Sequence, residues 1–252
     1  MTGRLKSLIF LILLIGIWEA GSRAELWPDY LFPSPSAIGS TLIDGVKDGS
    51  ILIGIGVSLW RILLGYGLSV VGGVLLGLLI GRVQVLDQTL GVLLVGLQSL
   101  PSIAWFPLAI LWFGLSEGAI LFIVVMGAFQ SIVIATDAGV RGISPLYVNV
   151  ARNLGAKGFQ FYWRLLIPAT LPAIVTGMKQ GWAFAWRSLI AGEMIFGNLG
   201  LGYLLMKGRE LNNMDEVLAV MVVIIVFGLC VDQLLFRRVE KKIHQRWGMI
   251  GT

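Results

Sequence analysis

The sequence predicts an all-α membrane protein of about six spanning helices. Three observations lead there. Of 252 residues, 57% are hydrophobic and only 13% charged, whereas a soluble globule is nearer half apolar and a quarter charged. Mean hydropathy is +0.87. The apolar residues fall into runs that can cross a bilayer, which takes about 20 residues at 1.5 Å rise. Lysine and arginine collect in alternate connecting segments, as they do when one side of a membrane is favoured. The length suits one transmembrane domain over 1–252 rather than two modules.

The first span is expected over 7–23. Arg4 and Lys6 ahead of the apolar run give it the look of a signal peptide, but Trp18-Glu19-Ala20-Gly21-Ser22 is a poor cleavage site, so a retained anchor is expected. Pro33 and Pro35 then forbid a continuous helix, Ser36 can cap a new one, and the short stretch after it suits the membrane interface. Spans follow over 57–81, 88–114, 117–139, 168–194 and 216–237. Pro101 and Pro107 are expected to kink the third. Gly73, Gly77 and Gly81, and later Gly177, Gly181 and Ala185, put small residues on one helix face, where backbones can approach closely in lipid.

With the N-terminus in the cytoplasm, twelve Lys and Arg fall in cytoplasmic segments and four outside; Arg61, Lys179 and Arg187 lie within spans. Both termini are therefore expected in the cytoplasm. The net charge of +5 is explained by this topology, not by a basic stripe for nucleic acid. Arg61 and Arg82, near span ends, are expected to snorkel.

Two classes of chemistry are excluded. Cys230 is the single cysteine and His244 the single histidine, the latter in a basic tail, so a metal site lacks convergent ligands. Ser58, Ser99, Ser102 and Ser188 have no histidine base near a span, and Glu193 and Asp137 fall near opposite membrane faces, so acid–base catalysis has no constellation. There is no Gly-Lys dipeptide and hence no phosphate-cradling P-loop.

The segment 140–167 is unlike the rest: four basic residues, no acidic one, and a cluster of aromatics. Ser144-Pro145 reads as a helix start. Tyr147, Val150, Ala151 and Leu154 recur at helical spacing, and Gly155 stops the helix. A second short helix through Phe159, Tyr162, Trp163 and Leu166 leads to Pro168, where the fifth span is expected to begin. The result is a helix–turn–helix over 144–165 that protrudes into the cytoplasm with aromatics free for a partner groove.

Asn149-Val150-Ala151-Arg152-Asn153-Leu154-Gly155, nine residues, then Leu165-Leu166-Ile167-Pro168, resembles the EAA loop of ABC-importer permeases. Asn149 stands where that family usually has glutamate. Leu31-Phe32-Pro33-Ser34-Pro35, the run Leu100 to Leu108, Leu111-Trp112-Phe113-Gly114, and Glu193 followed by Gly200-Leu201-Gly202-Tyr203 are similar to the nitrate/sulfonate/taurine branch. The resemblance implies a type I ABC-importer permease fold in a bacterial inner membrane. It implies that Asn149, Ala151, Arg152, Leu154, Gly155, Ala156, Phe159, Trp163 and Pro168 couple the chain to cytoplasmic ABC ATPase subunits. It further implies a second permease copy, forming a homodimer, and an extracytoplasmic substrate-binding protein. No cofactor is expected on this chain, with ATP and Mg on the partner ATPase, and the cargo implied is a small anion of the nitrate, sulfonate/taurine or bicarbonate class. A secondary anion carrier or channel working without ATP is the rival reading.

Inside the fifth span, Lys179 and Arg187 lie roughly 16 and 28 Å along the helix at 1.5 Å per residue. Lys179, Trp182, Trp186 and Glu193 fall within about 60° of one face at 100° per residue. Intramembrane charges face a cavity or a partner. Two readings follow: Lys179, Trp186, Arg187 and Glu193 line an electropositive pathway for an oxyanion, or the two cations are paired with Glu193, Asp137 or helix-end carbonyls.

Overall fold

The computed structural model describes residues 2–246; the side chains of Thr2, Arg4, Ser7, Leu8, His244 and Arg246 lie outside the described set. Among the described residues the structure is helical without strands. In chain order the helices are α1 (Thr2–Arg23), α2 (Pro35–Lys47), α3 (Ser50–Ile80), α4 (Gln84–Gln98), α5 (Ser102–Phe113), α6 (Glu117–Arg141), α7 (Pro145–Asn153), α8 (Gly158–Phe196), α9 (Leu201–Glu210) and α10 (Met214–Ile243). By length and composition α3, α6 and α10 can each cross a membrane, and the bent pairs α4–α5 and α8–α9 raise the number to five. The 22-residue α1, with its apolar run from Ile9 to Ile17 largely exposed, is the sixth candidate.

Two compact units emerge. One runs to Ser58 and resumes over Glu193–Val226; the other comprises Leu59–Gly192 and the chain from Phe227 onward.

In the first unit the segment after α1 folds back on it. Trp18 stacks on Phe32 at 4.7 Å and its Nε1 donates to the Pro33 carbonyl at 3.1 Å. Glu19 accepts from Arg23 (2.8 Å) and from the backbone N–H and hydroxyl of Ser36 (3.1 and 3.0 Å). Ser36 is thus a tether, not the helix cap. Ser34 caps α2, its hydroxyl accepting from Ala37 N–H, because Pro35 occupies the first helical position, where a missing N–H leaves no bond unmade.

The second unit is built around α6. Gly73, Gly77 and Gly81 of α3 face Ile132, the Val133 carbonyl with Thr136, and Val140, each so closely that a Cβ would stand within 3 Å of an atom there. Gly177 of α8 meets Ala135 of α6 in the same way, and a Cβ on Gly181 would stand 3.0 Å from Ile132 and 3.1 Å from the Ala128 carbonyl. The two glycine stripes therefore clasp one central helix, as helices do in lipid where close van der Waals contact replaces the hydrophobic drive.

Three expectations are corrected. The third span is not a kinked helix but a break: α4 and α5 meet at 104°. Pro101 sits at the break, where the Ser99 hydroxyl donates to the Gly96 carbonyl, whereas Pro107 lies in the first turn of a helix and disturbs nothing. The helix that carries the fifth span does not start at Pro168. Helix α8 continues from Gly158 through a π-helical turn over Tyr162–Leu166, with Pro168 and Pro172 inside it; the wider turn re-spaces the carbonyls ahead of the proline ring. Arg61 does not snorkel. It is 3% exposed, eleven residues inside α3, and its guanidinium grips the Glu117 carboxylate through two nitrogens.

Candidate functional site

The knob begins at Ser144, whose hydroxyl accepts from Leu146 N–H, with Pro145 opening α7. Gly155 ends it with φ +80°, and the bonds Ala156 N–H to Ala151 carbonyl and Gly155 N–H to Arg152 carbonyl, both 3.0 Å, form a Schellman cap. Gly158 at φ +50° then starts α8. Both turns demand left-handed backbone that glycine adopts without strain.

The inner side of the knob is anchored. Val148, Ala151, Ala156 and Ile167 pack against Leu78, Val140, Phe161 and Leu166. Phe161 is the buried aromatic of this segment, while Tyr162, in the π turn after it, faces outward. Arg82 lies over the Phe161 ring at 4.6 Å.

The outer side is apolar and bare. Leu146, Tyr147, Val150, Leu154, Phe159 and Trp163 are all exposed, Leu154 by 82%, and Phe159 stacks on Trp163 at 6.1 Å. Asn149, Arg152 and Gly155 share this exposure, while Ala151, Ala156 and Pro168 are half-buried. Arg82, Arg152 and Lys157 line a basic cavity of 370 Å³ beside it. Exposed aromatic and aliphatic side chains with a basic rim have the chemistry that docking of an acidic partner requires.

The four intramembrane residues do not converge. Lys179 pairs with Glu240 at 3.1 Å and lies 3.9 Å from Asp232, both on α10. These partners, not Glu193 or Asp137, answer its charge. Trp186 is buried, stacked on Trp182 at 6.3 Å and tilted against Phe227 at 5.0 Å. Glu193 is fully buried and accepts from the Ser58 hydroxyl (2.7 Å) and Gly202 N–H (3.0 Å), while Ser58 in turn accepts from Leu201 N–H. Its carboxylate thus sits at the N-terminus of α9, where helix N–H groups favour an anion. Gly200, at φ +121°, closes over it; a Cβ there would stand 2.5 Å from the carboxylate. Arg187 faces a cavity of 290 Å³ at the α4–α5 break. Gln130, missed by sequence reasoning, lines the same cavity; the only signal was one amide inside an apolar run.

Residues 73–245 match the family of binding-protein-dependent transport system inner membrane components. An ABC transporter permease protein of Methanocaldococcus jannaschii is 37% identical over 77% of this chain and 73% of its own. An aliphatic sulfonates transport permease of Bacillus subtilis is 29% identical over 96% and 87%, and a nitrate import permease of Leptolyngbya laminosa 29% over 90% and 83%. Among solved structures, a chain of the inward-facing MetNI methionine ABC transporter aligns with a TM-score of 0.60 over 75% of this chain and 96% of that one, at 18% identity.

Proposed function

The chain belongs to the family of binding-protein-dependent transport system inner membrane components, and from that premise we propose that its 144–165 knob is where a cytoplasmic ABC ATPase drives it. The chain is a multi-pass permease subunit of an ABC importer and not itself an enzyme. ATP and Mg sit on the separate ATPase, a second permease copy completes the pathway as a homodimer, and an extracytoplasmic binding protein delivers cargo. Both termini face the cytoplasm, which puts the knob on the ATPase side.

The observation that carries this reading is the exposed apolar face of the knob on a helix that runs without interruption from Gly158 to Phe196. A push on Phe159 or Trp163 is delivered along α8 itself to its transmembrane part, and one on Leu154 reaches α8 through the short turn over 155–157. Alternating access follows if closure of the ATPase pair tilts α8 against α6. The cargo is a small oxyanion, in keeping with relatives named for sulfonates and nitrate.

Gly155→Asp tests the coupling. Gly155 has nothing within 4 Å of a would-be Cβ, so aspartate fits, at a conformational cost of about 1–2 kcal/mol. The variant is expected to insert and purify normally while ATP-driven uptake in proteoliposomes falls at least tenfold. Undiminished uptake would sink the knob as the coupling element.

A further inference from the structure

We infer that the cavity at the α4–α5 break is a resting site for a single small oxyanion, built by Arg187, Gln130 and the hydroxyls around them; this rests on the importer reading above. The residues lining its 290 Å³ include Gln98, Ser99, Ser102, Gln130, Ser131 and Arg187, and no aspartate or glutamate. That volume is at the lower end of small-molecule sites.

The donors point one way. Gln130 is 5% exposed on the central helix, and its Nε2 is a buried donor without a hydrogen-bond partner. Such a group is costly to bury unpaired and calls for an acceptor. Arg187 is held at its inner end: Nε donates to the Ala183 carbonyl at 2.9 Å and the guanidinium lies 4.9 Å from the Phe184 ring centre. Its two terminal amino groups form the fork that binds planar or tetrahedral oxyanions in pairs. The hydroxyls are also arranged. Ser188 gives its one proton to the Phe184 carbonyl at 2.8 Å and accepts from the Ser102 hydroxyl at 2.7 Å, which fixes Ser102 in the cavity wall. Gly127 has no Cβ because the Ser188 hydroxyl occupies that space.

The site lies roughly 20 Å from the Glu117 end of α6, counted at 1.5 Å per residue, hence near the bilayer middle. It sits beside the bend of a broken helix pair. Irregular backbone at membrane depth is tolerated where it lines a cavity. A ligand held there touches α4, α5, α6 and α8, so it is released when α8 moves relative to α6. Lys179, in contrast, is neutralised by α10 and takes no part.

The test uses the complex purified with its own ATPase and binding protein, reconstituted in liposomes, with nitrate and methanesulfonate as probes. Arg187→Gln and Gln130→Glu each lower ATP-driven uptake of both at least tenfold, and Arg187→Lys, which keeps the charge but loses the fork, recovers part of it. Co-purification of the ATPase with each variant shows that it has folded and assembled. Variant complexes that assemble and import within twofold of the unmodified one overturn the site while leaving the importer reading intact. An unmodified complex that imports neither probe overturns the anion reading and the site with it.

Discussion

Ser58→Ala tests the physical account of Glu193. The serine hydroxyl donates to the buried carboxylate at 2.7 Å and accepts from Leu201 N–H at 2.9 Å. Removing it deletes a charge-assisted bond, worth about 1.5–3 kcal/mol, and strands a buried N–H, at about 1–3 kcal/mol. The two losses share a site and do not simply add; a combined loss of roughly 2–4 kcal/mol is expected. For a chain of this size, at about 2–4 °C per kcal/mol, the thermal midpoint should fall by roughly 4–16 °C. Ser69→Ala is the control. Ser69 is equally buried, but its short bond of 2.8 Å returns to the Gly65 carbonyl of its own helix, which the helical N–H already serves, and the Val125 carbonyl of α6 is only at 3.4 Å. Tryptophan fluorescence melts of both variants in one detergent provide the comparison. If Ser58→Ala melts with Ser69→Ala, Glu193 is not held as described.

Two further predictions follow from the packing. Gly77→Val places a Cβ 2.7 Å from the Val133 carbonyl, a backbone atom that cannot swing aside, so α3 and α6 must part; a sharply reduced yield of monodisperse protein is expected in detergent size exclusion, while Gly67→Val, with nothing within 4 Å, leaves it unchanged. Lys179→Glu combined with Glu240→Lys restores the pair that each single change breaks; uptake recovering in the double variant and not in the singles is expected if Lys179 only holds α10, whereas a pathway cation would not be rescued.

Much of this fold is written in residues whose role is local. Gly155 and Gly158 mark turns because only glycine takes φ +80° and +50° at no cost, and the glycine stripes of α3 and α8 are visible because their spacing is the contact. What stayed hidden depends on geometry across the chain. Glu193 and Ser58 are 135 residues apart, and Glu193 reads equally well as a pathway acid until α9 is seen to start against it. Lys179 has several carboxylates to choose from, and only the placement of α10 selects Glu240. Prolines misled in both directions. Pro168 reads as a helix start but is carried inside α8 by the π turn before it, and Pro107 reads as a kink but opens a helix. The cap of α2 was decidable: with Pro35 at the first helical position, the residue before it, Ser34, has to cap.

The central claim is that an ATPase seats on the exposed face of the knob. The direct measurement is purification of the chain from native membranes in mild detergent, with partners identified by mass spectrometry, for the unmodified chain and for Leu154→Asp, which puts a charge at the 82% exposed tip. The account predicts a stoichiometric P-loop ATPase with the unmodified chain and its loss with Leu154→Asp at equal permease yield. A permease that purifies alone and moves nitrate into liposomes without ATP would contradict it.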